Sequence, residues 1–182
     1  MLHINGAREA NLLGALCLAV SDRIRSLSSA EGTGEGTEGA ALVAISTFLE
    51  GCSIEQLSRV VALSHSAAVR LADRLEAEGL VVRRPGADRR AVALEPTARG
   101  RARGQALLAA REKAVHEVLE ALSAHEQRTL APLLEALLEN LVDRGDDPTR
   151  ICRLCDAETC GHWVGRCPVT EARRRRLRGD SR

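Results

Sequence analysis

Four of the six cysteines in this 182-residue chain fall within the seventeen residues ICRLCDAETCGHWVGRC, Ile151 to Cys167. Their spacing is C-x2-C-x4-C-x6-C, at Cys152, Cys155, Cys160 and Cys167, with Pro168 directly after. A C-x-x-C turn points two thiolates at one centre, and four soft ligands suit tetrahedral zinc at about 2.3 Å from each sulfur. The same set suits an iron–sulfur cluster, where cysteine followed by proline is familiar. Redox thiols without metal are the third chemistry open to it. His162 is a substitute ligand for any one thiol. The segment has too few apolar residues to bury four unligated cysteines, and zinc is the first expectation.

Other constellations are sparse. Cys17 lies between Leu16 and Leu18, and Cys52 stands next to Ser53. Free cysteine is often simply interior, so both read as buried core thiols, with Cys17 kept as a redox candidate. No P-loop or dinucleotide glycine fingerprint is present, and no strand precedes the glycine-rich EGTGEGTEG. The five histidines are scattered, with no Ser/His/Asp or paired-carboxylate arrangement, so the chain does not read as an enzyme.

The elements that must carry these residues are mostly helical. Hydrophobic content is 45%, supplied by Ala, Leu and Val, with Phe48 and Trp163 the only aromatics. Such a composition favours close-packed helices over a sheet sandwich. Leu12, Leu13, Leu16, Val20, Ile24 and Leu27 recur at helical spacing between Arg8 and Ser29. Glu31 to Gly39 reads as a flexible loop and Ala40 to Leu49 as a second helix stopping at Gly51. Ser53-Ile54-Glu55-Gln56 has capping-box spacing and opens a third helix running to about Leu63. Ser64 opens a fourth, ending at Gly79. Leu80 to Leu94 reads as a β-hairpin turning at PGAD. Thr97 opens a long helix, and Ser123, with Gln127 close behind, opens another that stops at Gly145. Two short helices followed by a two-stranded wing make a winged helix-turn-helix. The fold class expected is therefore mainly α, with a small β-hairpin and long N- and C-terminal helices.

The net charge of +1 gives no argument for nucleic acid, but its distribution does. Residues 53–103 hold ten Arg against six acids, and residues 104–147 hold nine acids against four basic residues. A basic face beside an acidic helical body follows. No window approaches the roughly 18 to 20 apolar residues of a membrane span. The N-terminus lacks the basic leader and cleavage site of a signal peptide, and the chain reads as cytoplasmic.

Ile54 to Arg101 resembles the core of the MarR family of bacterial transcription regulators. The residues that carry the resemblance are the S-x-S at Ser64 and Ser66, the R-L-x-x-x-G-L-V of Arg74 to Val81, the D-R-R of Asp88 to Arg90, and the L-x-x-T-x-x-G of Leu94 to Gly100. Flanking helices from Arg8 to Gly145 fit that family's dimerisation arms. The resemblance implies a homodimer on a pseudo-palindromic operator in double-stranded DNA, usually a repressor released by a ligand or an oxidant. The small-molecule effector is unknown. Peroxide-sensing members carry a reactive cysteine in a helix comparable to that of Cys17, but they activate it with tyrosines, which this chain lacks.

The residues themselves agree with a DNA contact. Ser64, His65, Ser66, Arg70 and Arg74 would present small polar and basic groups to the major groove. Arg89 and Arg90 would reach the minor groove, with Asp88 holding Arg90. Arg83 and Arg84 read equally as phosphate contacts or as solubilising charges, and the serines equally as helix caps. Residues 1–147 are thus expected to form the winged-helix domain with its arms, its DNA-binding core at about 53–101. Residues 148–182 are expected to form a cysteine-rich metal-binding tail; the alternatives are a metal- or redox-sensing switch that controls DNA binding and a module that docks a protein partner. The tail's final ARRRRLRGDSR carries six Arg, either a disordered solvated end or a contact to DNA backbone.

Overall fold

The computed structural model describes residues 6–30, 36–86 and 92–179. The elements run α1 (Ala7–Ala30), α2 (Gly36–Thr47), α3 (Ile54–Val61), α4 (His65–Ala77), β1 (Val81–Pro85), β2 (Val92–Pro96), α5 (Ala98–Leu119), α6 (Ala124–Asp143), α7 (Pro148–Ile151) and α8 (Pro168–Leu177). The fold is mainly helical with one small antiparallel hairpin, as the sequence pattern predicts.

The centre is α2, whose residues Gly39 to Ile45 are all buried. A helix that is apolar all round belongs inside a bundle. This helix starts at Gly36, so the glycine-rich stretch is not loop as far as Gly39: Gly39 and Ala40 are packed, and tertiary burial outweighs the low helix propensity of glycine. Around it, Leu57, Val60, Leu71, Leu75, Leu80, Val81 and Leu94 form one core drawn from α3, α4 and the hairpin.

Local chemistry fixes the starts of these helices. Ser53 accepts from Gln56 N, and the Gln56 side chain accepts from Ser53 N at 2.8 Å, closing the expected capping box. Ala62 then takes a left-handed conformation, φ 52°, and ends α3 so that Ser64 can cap α4. At Ser123 the box closes with Glu126, not with Gln127; Gln127 instead donates to the carbonyls of Leu119 and Leu122, tying α6 back to the end of α5.

The wing is joined to α5 by a close backbone approach. Thr97 caps α5, accepting from Gly100 N at 3.0 Å, while its hydroxyl donates to Gly79 O at 2.8 Å and its amide to Leu80 O at 3.0 Å. A Cβ at Gly100 would stand 2.0 Å from Leu80 O. The T-x-x-G spacing therefore exists because backbone must touch backbone here.

The C-terminal segment is not a loose tail. Helix α8 packs along α6, with Val142, Cys167, Val169 and Ala172 buried between them. Arg175 pairs with Glu139 at 2.8 Å, Arg174 with Glu171 at 2.6 Å, and Arg176 donates to Val142 O at 2.6 Å. The reading of the final arginine run as a disordered end is corrected over residues 172–177, which are helical. An internal partner for these arginines was the signal hidden in the charge count. Among the described residues no helix is long and apolar enough to cross a membrane.

Candidate functional site

Helix α4 presents two opposed faces. Ala68, Leu71, Ala72 and Leu75 are buried, while Ser64, His65, Ser66, Arg70, Asp73 and Arg74 are exposed. Ser64 is committed to capping, accepting from Ala67 N at 3.3 Å, and its hydroxyl lies 3.2 Å from that of Ser66. Ser66 and Arg70 sit four residues apart, one turn above the other on the outer face.

The arginines expected to contact DNA fall into different groups. Arg83 of β1 reaches α4, pairing with Asp73 at 2.6 Å and with Glu76, and its backbone amide donates to Glu76. The hydrogen bond it donates to Asp73, with Glu76 behind it, holds its guanidinium above the usual arginine range. Arg83 thus braces wing to helix and covers two carboxylates. Arg84 lies 3.8 Å from Glu95, and Arg74 lies 4.0 Å from Glu38. Arg101 and Arg103 pair with Glu50 and Glu78, and Arg99 donates to Glu78 O. Among the described residues Arg70 enters no ion pair. The local arginine excess is therefore much smaller as exposed charge than as a residue count. Asp88, Arg89 and Arg90 lie outside the described residues.

The four clustered cysteines converge. Cys152, Cys155, Cys160 and Cys167 line one cavity of about 100 Å³ together with Phe48, and His162 stands at the same cavity. All are free thiols; Cys167 is buried and the others half-buried. Their ionisations are linked. The Cys155 thiol is pulled down to about 6, first by a hydrogen bond from Cys152, against the cost of burial. Cys152 is pushed up by that same bond and by burial. Burial, then the neighbouring Cys155 and Cys167, pushes Cys160 up to about 12. As they stand these are interacting thiols: among the described residues no three His, Cys, Asp or Glu side chains form a ready metal-holding group. His162 is engaged elsewhere, its Nδ1 3.0 Å from the Thr170 hydroxyl and its ring edge-on to Trp163.

Cys52 is buried, as expected, and burial pushes its thiol up to about 11. Cys17 is exposed in the single chain, which corrects its reading as a core thiol. It lies on α1, where Leu12, Leu13, Leu16 and Leu18 are likewise 42–71% exposed. Helical periodicity identifies an apolar stripe but not whether this chain or another copy covers it.

Leu154 escaped sequence reasoning. Sitting inside C-x-x-C, it packs against the winged-helix core, and α7 lies against α3. Its only sequence signal is a large apolar residue between two cysteines.

Comparison with known proteins agrees with this architecture. Residues 35–91 match the sequence model of the MarR family. A MarR family protein from Bacillus stearothermophilus superposes with TM-score 0.69 at 22% identity, covering 78% of this chain and 99% of that one. The Mycobacterium tuberculosis MarR family protein Rv2887, in complex with p-aminosalicylic acid, gives 0.56 at 26% identity over 70% and 96%. MepR, a transcription regulator of the Staphylococcus aureus multidrug efflux pump MepA, gives 0.62 at 15% identity over 72% and 97%. Comparison with curated protein sequences finds no match. The fold and the exposed helix define a winged-helix protein. The chain resembles the MarR family of transcription regulators, in sequence over residues 35–91 and in fold over most of its length.

Proposed function

We propose that this protein is a cytoplasmic, homodimeric regulator that binds a pseudo-palindromic operator in double-stranded DNA. The observation that carries the reading is the outer face of α4. Small hydroxyls and Arg70 stand at its solvent side, while Arg83 covers the two carboxylates nearest to them. A recognition helix needs this combination of short polar groups for base edges and cations for phosphate. The exposed leucines of α1, together with Leu133, Leu134, Leu137 and Leu141 of α6, are 40–71% exposed and supply the apolar surface that pairing of two copies would bury. Two recognition helices related by a two-fold axis read half-sites roughly 34 Å apart.

Repression relieved by a small molecule fits the cavity of about 320 Å³ between α1, α2, α5 and residues 150–154. Ser21, Ile24, Leu107, Arg25, Arg150 and Arg153 line it, an apolar floor with cations suited to an anion.

The test is fluorescence anisotropy with DNA from beside the chain's own gene, at several salt concentrations. Specific, salt-sensitive binding is expected, weakened about tenfold in Arg70→Ala and in Arg90→Ala, with a salt slope smaller by about 1 per lost phosphate contact. Wild-type affinity in both variants would remove α4 and the hairpin connection as the DNA interface.

A further inference from the structure

We propose that Cys152, Cys155, Cys160 and Cys167 form a tetrathiolate zinc(II) site that fastens the 148–179 segment to both the winged-helix lobe and α5. The four residues come from a stretch with almost no regular structure, Cys152 to Cys167, yet their side chains meet at one small cavity. Short backbone turns shape that stretch locally, but few apolar side chains anchor it. Trp163 and Val164 are 66% and 72% exposed, Leu154 alone of its large apolar side chains packs into the lobe, and Asp156 accepts from the backbone of Glu158 and Thr159 in one of its local turns. Gly161 and Gly165 turn the chain at φ 71° and 72° to bring Cys160 and Cys167 back together. In the cluster under α8 the remaining side chains are Val142, Val169, Ala172, Leu138 and Ile151, a thin core for two helices and a long loop. A crosslinking ion supplies the fixed geometry that so little apolar area does not.

The cavity favours a single ion. At about 2.3 Å from each sulfur, a tetrahedral zinc draws four sulfurs to about 3.8 Å from one another. The four thiols already line one cavity of about 100 Å³, so the ligand set is gathered around a single space. An iron–sulfur cube places its own atoms between the cysteines and spreads them further. Zn²⁺ takes all four cysteines as thiolates, releasing the protons they still carry and leaving a site of charge −2. Arg173 lines the thiol cavity and Arg111 of α5 lines a neighbouring one with Cys152, Cys155 and Cys160, so two cations stand near the dianion. The surrounding contacts state what the site holds together: Phe48 at the end of α2 lines it, and Leu154 enters the lobe's core.

None of this depends on the DNA reading, and the test does not use DNA. The full chain, purified without chelator, is analysed for metals and then exchanged into cobalt(II). We expect about one zinc per chain, cobalt bands in the red with sulfur-to-cobalt charge transfer of a four-thiolate site, and thiols of this cluster protected from alkylation until the metal is removed. Cys160→Ser should bind zinc at least about tenfold more weakly, whereas Cys17→Ser should match the wild type. A metal-free chain that fails to take up cobalt, iron with the visible absorption of a cluster, or full zinc affinity in Cys160→Ser each overturns the proposal. Should Cys160→Ser not fold, the cobalt spectrum and alkylation pattern of the unaltered chain decide.

Discussion

The winged-helix lobe and the cysteine segment are ordered by different means. The lobe gathers some fifteen buried side chains from α2, α3, α4 and the hairpin around one apolar centre. The 148–179 segment buries Cys167, Val169 and Ala172 against Val142, leaves its Trp163 mostly in solvent, and lines one cavity with four thiols. A lobe of the first kind tolerates loss of any bound group but not loss of core volume. A segment of the second kind has the opposite sensitivity.

Substitution tests that contrast, and the largest effect belongs to the lobe. Leu71→Ala removes a fully buried side chain, and a loss of about 3 kcal/mol is expected, lowering the melting temperature by roughly 6–12 °C in a circular dichroism melt. Gly100→Ala forces a methyl onto Leu80 O and should cost about 1–3 kcal/mol, with wing and α5 disturbed together in amide-exchange measurements. Chelation should leave the lobe's amide protection intact and raise exchange selectively in residues 148–179; protection unchanged there would erase the distinction between the two regions. Arg83→Ala should shift stability by less than about 1 kcal/mol, because the pair is partly exposed, yet weaken DNA binding by uncovering Asp73 and Glu76. Affinity equal to wild type in that variant would make Arg83 a brace and nothing more.

The lobe was also the more legible region. The capping box at Ser53, the cap at Ser64 and the Thr97 start each depend on residues within a few positions, so spacing alone reveals them. The hairpin follows the same logic, with Val81 opposite Pro96 and Pro85 opposite Val92. What spacing could not reveal depends on distant partners. Gly36 to Gly39 are helical because α2 is enclosed, and α8 is ordered because α6 offers Glu139 and the Val142 carbonyl. Arg83 counts as a free cation until the fold brings Asp73 and Glu76 to it. At the thiols the sequence supplied the four residues and their convergence, but not Leu154, Arg111 or Arg173 around them.

The contact between Gly100 and Leu80 has a mechanical side. Two main chains in direct touch, pinned by Thr97 on both sides, leave no soft side chain between wing and arm to absorb a displacement. The start of the hairpin and the first turn of α5 are therefore tied main chain to main chain, so a shift of one is expected to carry the other with it.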